Sequence, residues 1–387
     1  MAGSRRSDGA AVHQRFRLIA DLLPSLVWRS FGIPTTRRIG SAGEVAAVDR
    51  PVGSTARPRH SANVSAFATL RTMDFDSFLL GAALLMLGAA VGGCFLVRGS
   101  TAVPAAGWAV AAAGVFLLEV VARCTGRLGD PASQASVRLV GAALAVCPTM
   151  SLLGAKRPQH GVWQFIVGTL AFVLALPAVS ALLVRPGSLP DVHLLEQGFL
   201  ALLLIVGWMN FVGTRHAIGA TLLTVGLAGL MRAFLPGGGG EGPPLPAVDA
   251  AGAGAVAAGA ALALGQSLLA PARRPKGGCS LARAIDLPFL ALRETLGAAW
   301  TLRIAERFNA VAAERHWPCQ LRFRGLVLTD EVAGAVGWER DVLRCCRALL
   351  RRFVSNAWLD RHGGLATPAH AADSTSESHP PHRSTRR

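Results

Sequence analysis

Residues 75–97 read FDSFLLGAALLMLGAAVGGCFLV, an apolar run whose one acid, Asp76, stands at its start. A hydrocarbon layer about 30 Å thick, crossed at about 1.5 Å per residue, needs about 20 such positions. This stretch therefore reads as a membrane-crossing helix, and the rest of the chain can be searched on the same criterion. Further apolar segments lie at about 102–122, 137–155, 162–184, 194–213, 216–235 and 248–270, giving seven candidates. The last is the weakest, because Ala and Gly dominate it and supply little transfer free energy. It reads as a span, an interfacial segment or a packed half-helix.

The composition agrees. Of 387 residues, 51% are hydrophobic and 16% charged, against about 25% charge in an ordinary soluble domain. Lys and Arg outnumber Asp and Glu by 39 to 23, yet residues 75–271 hold only 9 basic and 7 acidic side chains. Ala, Gly, Arg and Pro are all abundant, as a high-GC genome favours, so the basic excess alone is no pointer to nucleic acid. The chain has no Tyr, which excludes chemistry built on a phenol. Its seven Cys form no CxxC pair, which argues against a disulfide framework or a zinc ribbon.

If seven segments alternate across the bilayer, Asp76, Glu119, Asp130, Asp191, Glu196, Glu241 and Asp249 share one face. The opposite face carries Arg98, Lys156, Arg157, Arg215, Arg273, Arg274 and Lys276, seven basic groups against five (Arg123, Arg127, Arg138, Arg185, Arg232). By the positive-inside rule that face is cytoplasmic. The expected location is the cytoplasmic membrane of a high-GC bacterium, with the C-terminus in the cytoplasm. Residues 1–72 carry eleven Arg and would then begin outside, a conflict that disappears if Met73 is the physiological start. This prefix reads as disordered or untranslated.

The expected fold is an all-α polytopic membrane protein of about seven transmembrane helices, with a small α+β cytoplasmic C-terminal region. The bundle occupies 73–271, the basic C-terminal region 272–365 and a disordered tail 366–387. In the C-terminal region Phe289, Leu292, Leu296, Trp300, Ile304 and Phe308 recur every three or four residues, which predicts one amphipathic helix from Asp286 to about Pro318. Leu321 to Leu328 alternates as a strand. A second helical region, capped by Thr329 or Asp330, is expected to reach about Asp360.

Ionisable groups within spans are costly and point to function by default. Glu119 has Arg123 one turn later, which suits a local pair. Glu196 and Arg232 fall at similar depth on an antiparallel hairpin and are expected to pair, with Asn210 a buried amide nearer the turn. Such groups serve either an ion pair that fixes the hairpin or a small-solute site. His160, His193 and His216 stand at segment ends. His316, Cys319, Cys345 and Cys346 are expected to be core side chains rather than metal ligands. Arg340, Arg344, Arg347 and Arg351, spaced four, three and four, place guanidinium groups on one helix face, opposite Leu343, Cys346, Leu350, Phe353 and Val354. A basic amphipathic helix of this kind suits anionic lipid or a protein partner; the alternative is a solvated face on a packed domain.

HExxH, GxSxG and the Walker A loop are all missing, so no metalloprotease, serine-hydrolase or P-loop chemistry is indicated. No enzyme, cofactor, metal or specific nucleic-acid partner is expected. Gly88 and Gly92 make a GxxxG pattern that serves bundle packing or a homodimer. The leading function is a membrane scaffold or sensory-type component whose basic C-terminal region contacts lipid or a partner. The alternative is a small-solute transporter.

Overall fold

The computed structural model describes residues 61–154, 160–237, 246–269, 280–328 and 338–363. Ala68–Pro236 with Gly240–Arg387 forms one compact unit, which holds everything that follows. Of the other, Met1–Phe67 with Gly237–Gly239, the description covers the helical backbone of 61–67 and Gly237. Readings for residues 1–60, the Gly-Pro loop at 238–245 and the tail from 366 lie outside the described residues.

The apolar segments form helices α1 (Ser61–Leu96), α2 (Val103–Cys124), α3 (Pro131–Leu153), α4 (His160–Leu183), α5 (Leu194–Phe211), α6 (Ala217–Leu230) and α7 (Pro246–Leu269). The boundary expected at 72/73 falls within continuous α1. Six of the seven contain a stretch long and apolar enough to cross a membrane, α1 contributing Phe75–Leu96. The exception is the sixth segment, a helix of 14 residues followed by a 3-10 turn at Arg232–Phe234. The weakest segment by hydropathy, the seventh, is instead a 24-residue helix.

The small residues of α7 explain this reversal. They supply close approach rather than transfer free energy. Gly226 faces Gly252 and Gly219 faces Gly259, in opposite chain order, so α6 and α7 pack antiparallel and backbone to backbone. A Cβ built on Gly226 would lie 2.6 Å from the Gly252 carbonyl oxygen. Caps delimit the other helices. Asp130 accepts from the Ser133 N–H at 3.0 Å in front of Pro131, and His193 with Glu196 forms a reciprocal capping box on α5.

The C-terminal region contains α8 (Leu281–Leu296), α9 (Ala298–Glu314), a hairpin of β1 (Cys319–Arg322) and β2 (Gly325–Leu328), then α10 (Trp338–Leu350) and α11 (Asn356–Arg361). The single helix expected from Asp286 is two. Ser280 caps the first, Pro288 lies inside it, and Gly297, at φ 83°, breaks the helix. The expected strand is a two-stranded hairpin held by Asp286, whose carboxylate accepts from the Leu326 N–H at 2.6 Å. The second helical region is also two helices, because a turn at 351–353 leads into Val354, which bridges Ser100; its expected cap at Thr329 or Asp330 lies outside the described residues.

Ile285, Phe289, Leu292, Leu296, Phe308 and Trp358 are buried in one core that also takes in Ala102 from the α1–α2 turn. A region this small is marginal as an independent core. Here the helix bundle completes it. The Thr101 N–H donates to Phe353 O at 2.8 Å, Ser355 N–H to Gly99 O at 2.7 Å, Arg361 Nη2 to Arg98 O at 2.7 Å and Trp300 Nε1 to Leu152 O at 2.6 Å. Asn210 at the end of α5 makes a two-sided clamp, donating to Leu296 O at 2.9 Å and accepting from Ala299 N–H at 3.1 Å. Asn210→Ala is expected to cost about 2 kcal/mol for two lost bonds. Limited trypsin digestion should then cut the Arg-rich C-terminal region faster than in the parent protein.

Candidate functional site

Two features lie inside the bundle: a cluster of buried charges and a large cavity that begins beside it. The cluster draws on four segments. Arg138 of α3 donates to the Glu119 carboxylate of α2 from Nε at 3.0 Å and Nη2 at 2.7 Å. Its Nη1 reaches Asp249 of α7 at 2.7 Å, and Arg232, in the turn after α6, reaches the other Asp249 oxygen at 2.5 Å. Glu119 and Asp249 are both buried. Two carboxylates against two guanidinium groups sum to zero, the condition under which buried charges are tolerated.

This corrects the expected pairings. Glu119 binds Arg138 rather than Arg123, and Arg123 instead lies 3.7 Å from Asp76. Glu196 accepts from the His193 N–H at 3.2 Å within its own helix cap, while Arg232 pairs with Asp249. Asn210 belongs to the clamp on the C-terminal region. Of the polar residues suggested for a small-solute site, Glu119 and Arg232 therefore meet in one cluster through Arg138 and Asp249, whereas Glu196 and Asn210 lie apart from it. Sequence reasoning missed Arg138 and Asp249 as centres of the cluster; each stands within the first two turns of an apolar helix, which was the available signal.

The basic helix face is also rearranged. Arg340 and Arg344 are exposed on α10, Arg344 pairing with Asp341 at 2.8 Å. Arg347 is half-buried and reaches Asn356, and exposed Arg351 follows the helix end. Cys346, Leu350, Phe353 and Val354, opposite them, are buried in the C-terminal core. That face is occupied by protein. Burial pushes the Cys319 thiol up to about 11 and the Cys346 thiol further still, which suits inert core thiols. No metal-binding group of His, Cys, Asp or Glu occurs among the described residues.

The cavity, which is partly open to the surface, has a volume of about 1600 Å³. Its walls come from α1, α2, α3, α5, α6, α7, α8 and α11 and include small side chains such as Ala89, Ala112, Ala145 and Ala260. From Arg138 to Leu152, both of which line it, α3 rises about 21 Å. Charge stands at its two ends. Glu119 and Arg138 close one, and Arg215, His216, Arg293 and Glu294 line the other.

At this second end Glu294 accepts from Arg293 Nε at 3.0 Å and from the Arg215 N–H at 2.9 Å. Burial first, then the neighbouring Arg215 guanidinium, holds His216 below the usual imidazole range. The ring is neutral, with Nε2 accepting from Arg215 Nε at 3.2 Å and Nδ1 facing Gln266 Oε1 at 3.1 Å, which assigns the proton to Nδ1. What the cavity offers is thus a long, largely apolar channel with its charged groups at the two ends and the Thr149 and Thr224 hydroxyls on the wall between them. No protein-family model, no curated protein and no solved structure matches this chain.

Proposed function

We propose that this is a multi-pass membrane protein whose central cavity receives a long amphiphile of the bilayer. The chain of the amphiphile lies along the Ala-rich walls and its polar head rests at the Arg215 end. The carrying observation is the cavity itself, about 1600 Å³ with mostly apolar side chains, many of them Ala, between two charged ends. Pockets for small solutes occupy about 300–1,000 Å³, and a small polar solute would leave the apolar walls unmatched. Seven basic groups against five favour the Arg215 end and the C-terminal region as cytoplasmic.

The test fills the cavity. Ala112→Leu combined with Ala145→Phe should weaken binding of a pyrene-labelled fatty acid by at least about tenfold, a change of about 1.4 kcal/mol. Leu118→Phe, at a residue 62% exposed on the bundle surface, should leave it unchanged. Equal binding by all three proteins would overturn the reading. It would favour the second one, a membrane scaffold whose exposed Arg340, Arg344 and Arg351 meet anionic lipid or a partner.

A further inference from the structure

The two ends of the cavity differ in what closes them. Beside the ion cluster, Ala113, Glu119, Leu230 and Met231 line the wall and are all buried. At the other end Phe95 and Leu96 of α1 line the wall while 62% and 37% exposed. A side chain that is both cavity wall and exposed surface marks an opening. α1 and α7 run parallel, with Leu79, Ala82, Ala83 and Met86 in one buried cluster with Ala250, Ala253, Val256 and Ala257. Leu264 lies against Gly92. The exposed wall residues follow directly after that contact along α1.

Next to this apolar opening is a polar rim, and its guanidinium groups are not equivalent. Arg293 is committed, with Nε and Nη2 on Glu294 and Nη1 on Phe323 O at 3.0 Å. Arg361 is committed to Arg98 O and Ala357 O. Arg215 spends Nε, which donates to His216 and lies 3.8 Å from the Glu294 carboxylate, and among the described residues its two Nη atoms donate no hydrogen bond. Its side chain is 40% exposed. A guanidinium fork of this kind suits a carboxylate or phosphate oxygen pair.

We infer that the amphiphile enters sideways, from the leaflet adjoining the C-terminal region, between the ends of α1 and α7, and that Arg215 receives its anionic head. This rests on the reading of the cavity as an amphiphile site. An apolar slit beside a charged rim lets the chain stay in hydrocarbon while the head travels along the interface.

The test uses the full chain in vesicles, with Gly92→Cys and Leu264→Cys introduced together in a Cys94→Ala background. Reduced protein should exchange fluorescent phosphatidylglycerol. Disulfide formation should slow uptake at least about tenfold and trap lipid already loaded, a 1.4 kcal/mol change in barrier per decade. Separately, Arg215→Gln should weaken phosphatidylglycerol at least about tenfold with little effect on phosphatidylcholine, and millimolar inorganic phosphate should not compete. Undiminished exchange in the oxidised protein, with binding intact, overturns the sideways route and leaves the cavity reading standing. Equal loss of both lipids in Arg215→Gln, or displacement by inorganic phosphate alone, overturns the head assignment. Absence of lipid from reduced and oxidised protein alike overturns the cavity reading itself.

Discussion

Replacing Asp249 by Ala is expected to destabilise the folded protein by about 3–5 kcal/mol, the range for removing one partner of a buried ion pair. The residue justifies the upper part of that range because it serves two cations at once, Arg138 at 2.7 Å and Arg232 at 2.5 Å. Without it, Arg138 keeps Glu119 but the cluster carries one excess positive charge, and Arg232 loses its ion-pair partner. Asp249→Asn should fall in between, since the amide keeps the shape and one acceptor but not the charge. Glu196→Gln, which touches only an exposed helix cap, should cost no more than about 1 kcal/mol. Melting temperatures of the detergent-solubilised protein rank the three. Similar losses for Asp249→Ala and Glu196→Gln would show that the cluster does not hold the bundle together.

The second large effect concerns α6 and α7. Gly226→Val places branched carbon atoms where even a Cβ would meet the Gly252 carbonyl oxygen at 2.6 Å and the Val256 nitrogen at 2.7 Å. Neither neighbour is a flexible side chain, so the helices must part along their length. Overpacking costs typically about 1–3 kcal/mol where side chains can yield, and here the obstacle is backbone. The expected result is loss of monodisperse protein on size-exclusion chromatography. Gly88→Ala is the control, because nothing lies within 4 Å of its added Cβ. That change should be neutral or stabilise slightly, as Ala is the better helix former by about 1 kcal/mol.

Hydropathy makes depth legible and leaves azimuth obscure. Residues 75–97 announced α1 because length and apolarity alone decide whether a segment can cross. Glu196 and Arg232 read as ionisable groups at similar depth on a hairpin, but their partners depend on which helix lies alongside. Asp249, on a helix that hydropathy ranked last, was the closer acid to Arg232. The sixth and seventh segments exchanged rank for a related reason. Leu and Ile in α6 raise hydropathy without lengthening the helix, whereas the glycines of α7 lower it while allowing the closest packing in the bundle. The cavity left only an indirect trace. Its walls include small residues, and Ala or Gly in a span reads equally as a contact surface or as room left open. In the C-terminal region the periodicity located the core-facing residues, Phe289 and Phe308 among them, and missed the break at Gly297, whose backbone turn is set by the clamp from Asn210.

The docking of the C-terminal region also fixes an order of biogenesis. The Arg98 carbonyl is made early, at the end of the first span, and its donor Arg361 is synthesised 263 residues later. The Gly99 and Leu152 carbonyls wait in the same way for Ser355 and Trp300. Until those residues are made these peptide oxygens lack their protein donors, so this end of the bundle is completed only by the final helices. A chain ending before residue 355 would lack the donors to both the Arg98 and the Gly99 carbonyls.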